Sequence, residues 1–225
     1  MVAGSSNKKR RGRRLKDATG RQRLVKIDGQ SLTIDDLDVI ARGDATFRFP
    51  REARSRVVDS AKLVASTAKA DEPCYGINTG FGRFCNVRIS PSDVRRLQLN
   101  LIRSHAAGVG EPLGPEEVRL AIALRANALA GGHGGVRPQV IDLLISMLEN
   151  DVLPRIPRLG SVGASGDLAP LAHLAQVLIG EGQALVDGKW VSGKTALKRK
   201  GLKPIQLEAK EGLSLINGVQ ISLAM

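Results

Sequence analysis

The sequence predicts a mainly α-helical protein with a few short strands, and three observations carry that expectation. Prolines open one apolar-patterned stretch after another, at Pro50, Pro91, Pro115 and Pro138, and proline suits the first turn of a helix. Glycines close several of these stretches, at Gly108, Gly131 and Gly180, where a helix commonly stops. Strand-like patterning is confined to a stretch near Val25 and to residues 184–191. The chain is 42% hydrophobic but only 3% aromatic, so the core is expected to be aliphatic.

The elements follow in order. Leu24 to Ile34 reads as a hairpin turning at Asp28-Gly29. Thr33-Ile-Asp-Asp36 reads as a capping box, with Asp where Glu or Gln is usual, opening a short helix that ends near Gly43. Pro50 begins a helix to about Lys69, striped by Val57, Val58, Ala61 and Val64. Residues 71–90 read as a long loop. Helices are expected from Ser90-Pro91 to Ala107, Pro115 to Ala130, Pro138 to Asn150 and Asp167 to Ile179. A hairpin around Asp187-Gly188 joins Ala184-Leu-Val186 to Lys189-Trp-Val191. Glu211 to Met225 has a helical, apolar pattern with no cap or polar stop, so Leu215, Ile216, Ile221 and Leu223 are expected to lack packing partners.

Length and charge bound the function. A chain of 225 residues buries one core, and the boundaries read as a basic tail at 1–24 and a folded part at 25–225. The net charge is +12, of which residues 1–26 supply +9. No aromatic residue is interleaved with these charges and no recognition module follows, so the tail is read as solvated and disordered, and no nucleic-acid partner is expected. No apolar run approaches a membrane span and none follows the basic start as a signal peptide would, which points to a cytoplasmic protein. Ten residues separate Cys74 from Cys85, with no CxxC, and His133 and His173 lack metal-ligand spacing. Neither a disulfide framework nor a metal site is expected.

Two stretches suggest chemistry. Gly188-Lys-Trp-Val-Ser-Gly193-Lys194-Thr195 satisfies a phosphate-loop pattern, which would make the chain a nucleotide hydrolase. Its context argues for the hairpin instead: Trp190 crowds a loop that must wrap around phosphate, and no strand ending in Asp follows. Residues 160–170, Gly-Ser-Val-Gly-Ala-Ser-Gly-Asp-Leu-Ala-Pro, offer something less common. In a tight bend, the Gly166 amide nitrogen can attack the Ala164 carbonyl carbon. Loss of two waters, one carrying off the Ser165 hydroxyl, then leaves a methylidene on an imidazolone ring. Small residues at 164 and 166 permit the attack, and Ser165 supplies the leaving hydroxyl. Asp167 is placed either to polarise this bend or to cap the helix that follows.

The eleven-residue string, together with Tyr75-Gly-Ile-Asn-Thr-Gly-Phe-Gly82, Asn100-Leu-Ile-Arg-Ser-His-Ala-Ala-Gly108 and Glu211-Gly-Leu-Ser-Leu-Ile-Asn-Gly-Val-Gln220, resembles the histidine and aromatic amino-acid ammonia-lyases. The resemblance runs from about Val25 to the last residue. It implies a helical ammonia-lyase-like N-terminal part lacking the C-terminal helical bundle, because family members are roughly twice as long. It further implies a methylidene-imidazolone formed from Ala164, Ser165 and Gly166, and no diffusible cofactor. Tyr75 matches the general base, Asn217 the active-site amide, and His105 the contact to a substrate imidazole. Val219 stands where the family usually has Thr. The implied reaction takes L-histidine to urocanate and ammonia in a homotetramer, with this portion inactive alone. Alternatives are a tyrosine- or phenylalanine-directed lyase or aminomutase, and an inactive truncated product.

Overall fold

A computed structural model describes residues 22–163 and 166–225. The N-terminal elements differ from the expected hairpin. Strand β1 (Arg23–Lys26) and strand β2 (Ala45–Arg48) pair in parallel, Arg23 opposite Ala45, with helix α1 (Ile34–Arg42) as the crossover between them. The reason lies in Asp28, whose carboxylate accepts the N–H groups of Gln30 and Ser31 at 2.9 and 2.8 Å and bends the chain onward. Parallel neighbours need such a crossover, whereas a hairpin reverses at once. The capping box at Thr33 and Asp36 forms as expected, and Gly43 ends α1 in the left-handed conformation.

Helices α2 (Arg51–Thr67), α3 (Pro91–His105), α4 (Pro115–Ala130), α5 (Pro138–Glu149) and α6 (Leu168–Leu178) lie within a few residues of the expected spans. Of the stripe on α2, Val57 and Val64 are buried with Ala53. The core sits where α4 packs on α1, α2 and α5, and α6 packs on α3 and α5. Helix α4 is buried through Val118, Ala121, Ile122, Ala123, Ala126 and Leu129, its alanines letting neighbouring backbones approach. Helix α5 adds Ile141, Leu144 and Met147, and α6 adds Leu171, Leu174 and Leu178, all fully buried. Each such side chain contributes about 1.5–3 kcal/mol on leaving water. The aliphatic core expected from composition is present.

Short strands tie the loops between helices together. Strand β3 (Val109–Pro112) pairs antiparallel with β5 (Pro157–Leu159), while β4 (Leu153–Pro154), β6 (Gln183–Val186) and β7 (Lys189–Ser192) form a three-stranded sheet. The β6–β7 hairpin turns at Asp187 and Gly188, both at positive φ, as the sequence indicates. It therefore absorbs the phosphate-loop match. Lys194 and Thr195 lie in the seven-residue helix α7 (Gly193–Arg199), whose cap Ser192 accepts the Thr195 N–H at 3.3 Å. Between Gly188 in the turn and Gly193 at the start of α7 the chain runs as strand β7, so no loop forms there to cradle a phosphate.

The last segment is not one helix. Helix α8 (Glu211–Ile216) stops at Asn217, whose backbone is extended, and α9 (Gln220–Ala224) follows after Val219. Its apolar residues are also better packed than expected. Leu215, Ile216 and Ile221 are buried because α8 lies on α3 and α6, and α9 lies on α4. Leu223 alone of the four stays exposed. Among the described residues, no helix is long and apolar enough to cross a membrane.

Candidate active site

The bend before α6 is fixed at both ends. Ala164 and Ser165 lie outside the described residues, but the glycines flanking them are well defined. Gly163 and Gly166 both take φ of +74°, and the Gly166 N–H reaches the Gly163 carbonyl at 3.3 Å, closing a tight turn. Val162 N–H donates to the Gly166 carbonyl at 3.2 Å, so the chain closes on itself twice. Gly166 allows no side chain: a Cβ would sit 2.7 Å from the Val219 Cγ1.

Beyond the bend, Gly166 forms a parallel bridge with Gly218, and the Asp167 N–H donates to the Gly218 carbonyl at 2.9 Å. The Asp167 side chain does not cap its own helix. It is fully buried and accepts from the Ser161 and Ser222 hydroxyls at 2.6 and 2.7 Å and from the Ile221 and Ser222 N–H groups at 2.8 and 2.9 Å. It thus caps α9 from a distant part of the chain, where a carboxylate satisfies free amides and complements the helix dipole. Asn217 is brought beside the bend by the same contacts, with its side chain exposed.

The loop bearing Tyr75 follows α2. Tyr75 is 56% exposed and meets Phe81 edge-on, the ring centres 6.0 Å apart. Asn78, to which sequence reasoning assigned no role, anchors the loop. Its Oδ1 accepts the Cys74 N–H at 2.7 Å, and its Nδ2 lies within hydrogen-bonding reach of the Thr67, Ala70 and Glu72 carbonyls at 2.9–3.3 Å. Asparagine is the side chain that offers both an acceptor and two donors at this length. Gly76 abuts helix α8: a Cβ there would meet the Leu213 Cδ2 at 2.6 Å. The Tyr75 loop and the helix leading to Asn217 therefore pack directly together.

His105 is the last residue of α3. Its Nδ1 lies 2.8 Å from the Leu101 carbonyl, which can only accept, so Nδ1 carries the proton and Nε2 is left as an acceptor in the neutral ring. Gly80, Phe81, Phe84, Leu97 and His105 line a common hollow of about 350 Å³. Three residues on, the Gly108 N–H donates to His173 Nε2 at 3.1 Å, and a Cβ on Gly160 would come within 3.3 Å of the Gly108 Cα. Burial, and then the neighbouring Arg155, push the His173 pKa down, which favours the neutral acceptor. His173 thus joins the segment after the His105 helix to α6, the helix that follows the bend.

The four sequence-marked segments form a closed circuit of contacts: the Tyr75 loop to α8, α8 through Asn217 and Gly218 to the bend, the bend through Gly160 to Gly108, and the His105 helix back to Phe81. Sequence reasoning missed Asn78 and Arg125. Arg125 donates from Nη1 to the Asn217 carbonyl at 2.9 Å. Its signal was a charge inside the apolar run from Leu120 to Ala130. Among the described residues, no group of three His, Cys, Asp or Glu side chains is placed to hold a metal ion.

Comparison with known proteins agrees with this arrangement. A family model for aromatic amino acid lyases matches residues 32–225. Histidine ammonia-lyase of Myxococcus xanthus is 51% identical over 201 residues, covering 89% of this chain and 40% of that enzyme. The enzyme of the same name from Gloeobacter violaceus is 53% identical over 199 residues, covering 88% and 39%. Among solved structures, histidine ammonia-lyase from Trypanosoma cruzi superposes with a TM-score of 0.80 at 41% identity, covering 89% of this chain and 39% of that one. Tyrosine aminomutase from Streptomyces globisporus gives 0.82 at 38% identity, covering 89% and 38%. The chain thus spans about 40% of the length of the curated relatives it matches.

Proposed function

Because the chain belongs to the aromatic amino acid lyase family, we propose that it is the prosthetic-group-bearing part of a histidine ammonia-lyase, converting L-histidine to urocanate and ammonia. The observation that carries the reading is the turn at Gly163–Gly166, held against the extended Asn217–Gly218 link between α8 and α9. A methylidene-imidazolone made from Ala164, Ser165 and Gly166 would supply the electrophile that activates an otherwise unreactive amino acid. The chain's own residues do the rest. Tyr75, as phenolate, takes the β-proton; the electron pair of the broken C–H bond forms the double bond, and the α-amino group departs as ammonia. Positive charge or hydrogen bonds would stabilise the phenolate in the working site. Asn217 donates to the oxygen on which negative charge develops. His105 offers its Nε2 to the N–H of the substrate imidazole. A homotetramer is the working assembly on this reading, with the cytoplasm as its setting.

The test is chemical. The Leu159–Lys189 peptide of the protein should be lighter than its sequence mass by two waters, about 36 Da, and Ser165→Ala should abolish that loss. A chain extended to the relatives' length should release ammonia from L-histidine far faster than from L-tyrosine, and His105→Phe should lower the histidine rate by about tenfold or more. An unmodified peptide in that extended, folded protein overturns the lyase reading. A tyrosine-directed lyase or aminomutase is the second reading, supported by the likeness to tyrosine aminomutase; a preference for L-tyrosine would establish it.

A further inference from the structure

Arg125 lies in α4 among Ala121, Ile122 and Ala126 and is 5% exposed. Among the described residues no carboxylate pairs with it, and its Nε has no hydrogen-bond partner. Its Nη1 donates to the Asn217 carbonyl and to the Gln220 Oε1, each at 2.9 Å. Burial lowers its pKa to about 10, still well above neutrality, so the guanidinium stays charged. A buried cation without a counter-ion is costly to the fold, and packing alone would be better served by an apolar side chain.

The peptide it binds explains why the charge sits there. The described residues contain no cis peptide bond, and in a trans amide the C=O and N–H groups point in opposite directions. With the Asn217 carbonyl on Arg125, the Gly218 N–H points away from α4, to the side on which Gly166 bridges Gly218. A cation on the carbonyl also polarises the amide and strengthens that N–H as a donor. Gly218 lets the backbone come this close to the guanidinium, since a Cβ there would lie 2.6 Å from the Arg125 Nη1.

We infer that Arg125 is a positioning residue for the cyclising segment: through the Asn217–Gly218 peptide it aims one N–H at the Gly166 side and leaves the Asn217 amide facing outward beside it. Its functional consequence rests on the lyase reading above, whereas the clamp itself does not. Two variants of the 225-residue chain, Arg125→Met and Arg125→Lys, test it by amide exchange and by mass. Arg125→Met should speed exchange at Asp167 and Gly218–Ser222 by about tenfold while residues 138–149 keep their protection. It should also lower the fraction of the Leu159–Lys189 peptide that has lost two waters. Arg125→Lys, which keeps the charge and one contact, should recover part of both, and it carries the same comparison if Arg125→Met is insoluble. Unchanged exchange at those amides overturns the inference. An equal rise across 138–149 also overturns it, by marking Arg125 as an ordinary core residue. A 225-residue parent without the two-water loss removes only the mass readout: the lyase reading is then decided in the extended protein, and the exchange comparison still decides Arg125.

Discussion

The bend at Gly163–Asp167 and the loop from Tyr75 to Phe84 carry neighbouring parts of one site, yet they are held in opposite ways. The bend is fastened by buried side chains whose partners are distant in sequence: the Asp167 carboxylate receives four hydrogen bonds, and Arg125 holds the extended link beside it. The loop hangs largely from one neutral amide, Asn78, and leaves Tyr75 and Phe84 56% and 64% exposed. Backbone that must stay bent is over-determined, while side chains that must meet a small molecule are tethered at the base and open at the tip. Stability is accordingly uneven between regions a few residues apart in space.

The largest expected effect comes from breaking the bend. Asp167→Ala strands the buried Ile221 N–H, the part-buried Ser222 N–H and two hydroxyls at once, and should cost about 3 kcal/mol in urea unfolding. A cost near zero would mean that the bend is not over-determined. Asn78→Ala should cost less, about 1–2 kcal/mol, and should act locally. Trypsin should then cut faster after Arg83 and Arg88 while α4 and α5 resist. A global loss as large as that of Asp167→Ala would erase the contrast between the two regions.

His173 sharpens the comparison through pH, because it links the segment after the His105 helix to α6, the helix that follows the bend. Its folded pKa lies below the ordinary 6.5, so as pH falls the unfolded chain binds a proton before the folded one does. The His173 contribution is therefore full above 6.5 and is lost as pH falls through the folded value. Unfolding curves at about pH 7.5 and about pH 5.5 should show a greater loss for the parent than for His173→Gln, whose amide does not titrate in this range. The smallest effect on stability belongs to Tyr75→Phe, within about 0.5 kcal/mol, because the side chain is exposed. The same change in a chain of the relatives' length should lower turnover by about 100-fold or more, as loss of a general base does. Stability and activity should thus separate most cleanly at Tyr75.

The helices were legible because their signals are local. Pro115 and Pro138 start α4 and α5, and Thr33 with Asp36 caps α1, all from residues within one turn. The strands were not, apart from the β6–β7 hairpin with its two-residue turn. Strand β1 pairs with β2 across a helix, and β4 has only two residues, too few to show alternation. The break at Asn217 had a local signal that the helical reading of Glu211–Met225 passed over, the Asn217-Gly218 dipeptide, which favours a turn. The partners that hold it, Arg125 and Asp167, lie 92 and about 50 residues away. The four site segments could be marked from sequence, but not the contacts between them. Those depend on close approaches such as Gly76 to Leu213 and Gly108 to Gly160.

The distance between Asp167 and its donors also sets an order of events during synthesis. The carboxylate oxygen that caps α9 waits for the Ile221 amide, 54 residues downstream. At cellular elongation rates that stretch takes roughly 3–11 s to make. Throughout that interval the Gly163–Gly166 turn lacks Gly218, α9 and the extended link held by Arg125, so the restraints on Gly166 and Asp167 are not yet in place. On the proposed lyase reading, ring closure is then a step of maturation that waits for Gln220–Ala224 to leave the ribosome and dock on α4. A newly made chain would then carry a lag between folding and the appearance of its electrophile, and that lag would be set by the slower of docking and dehydration.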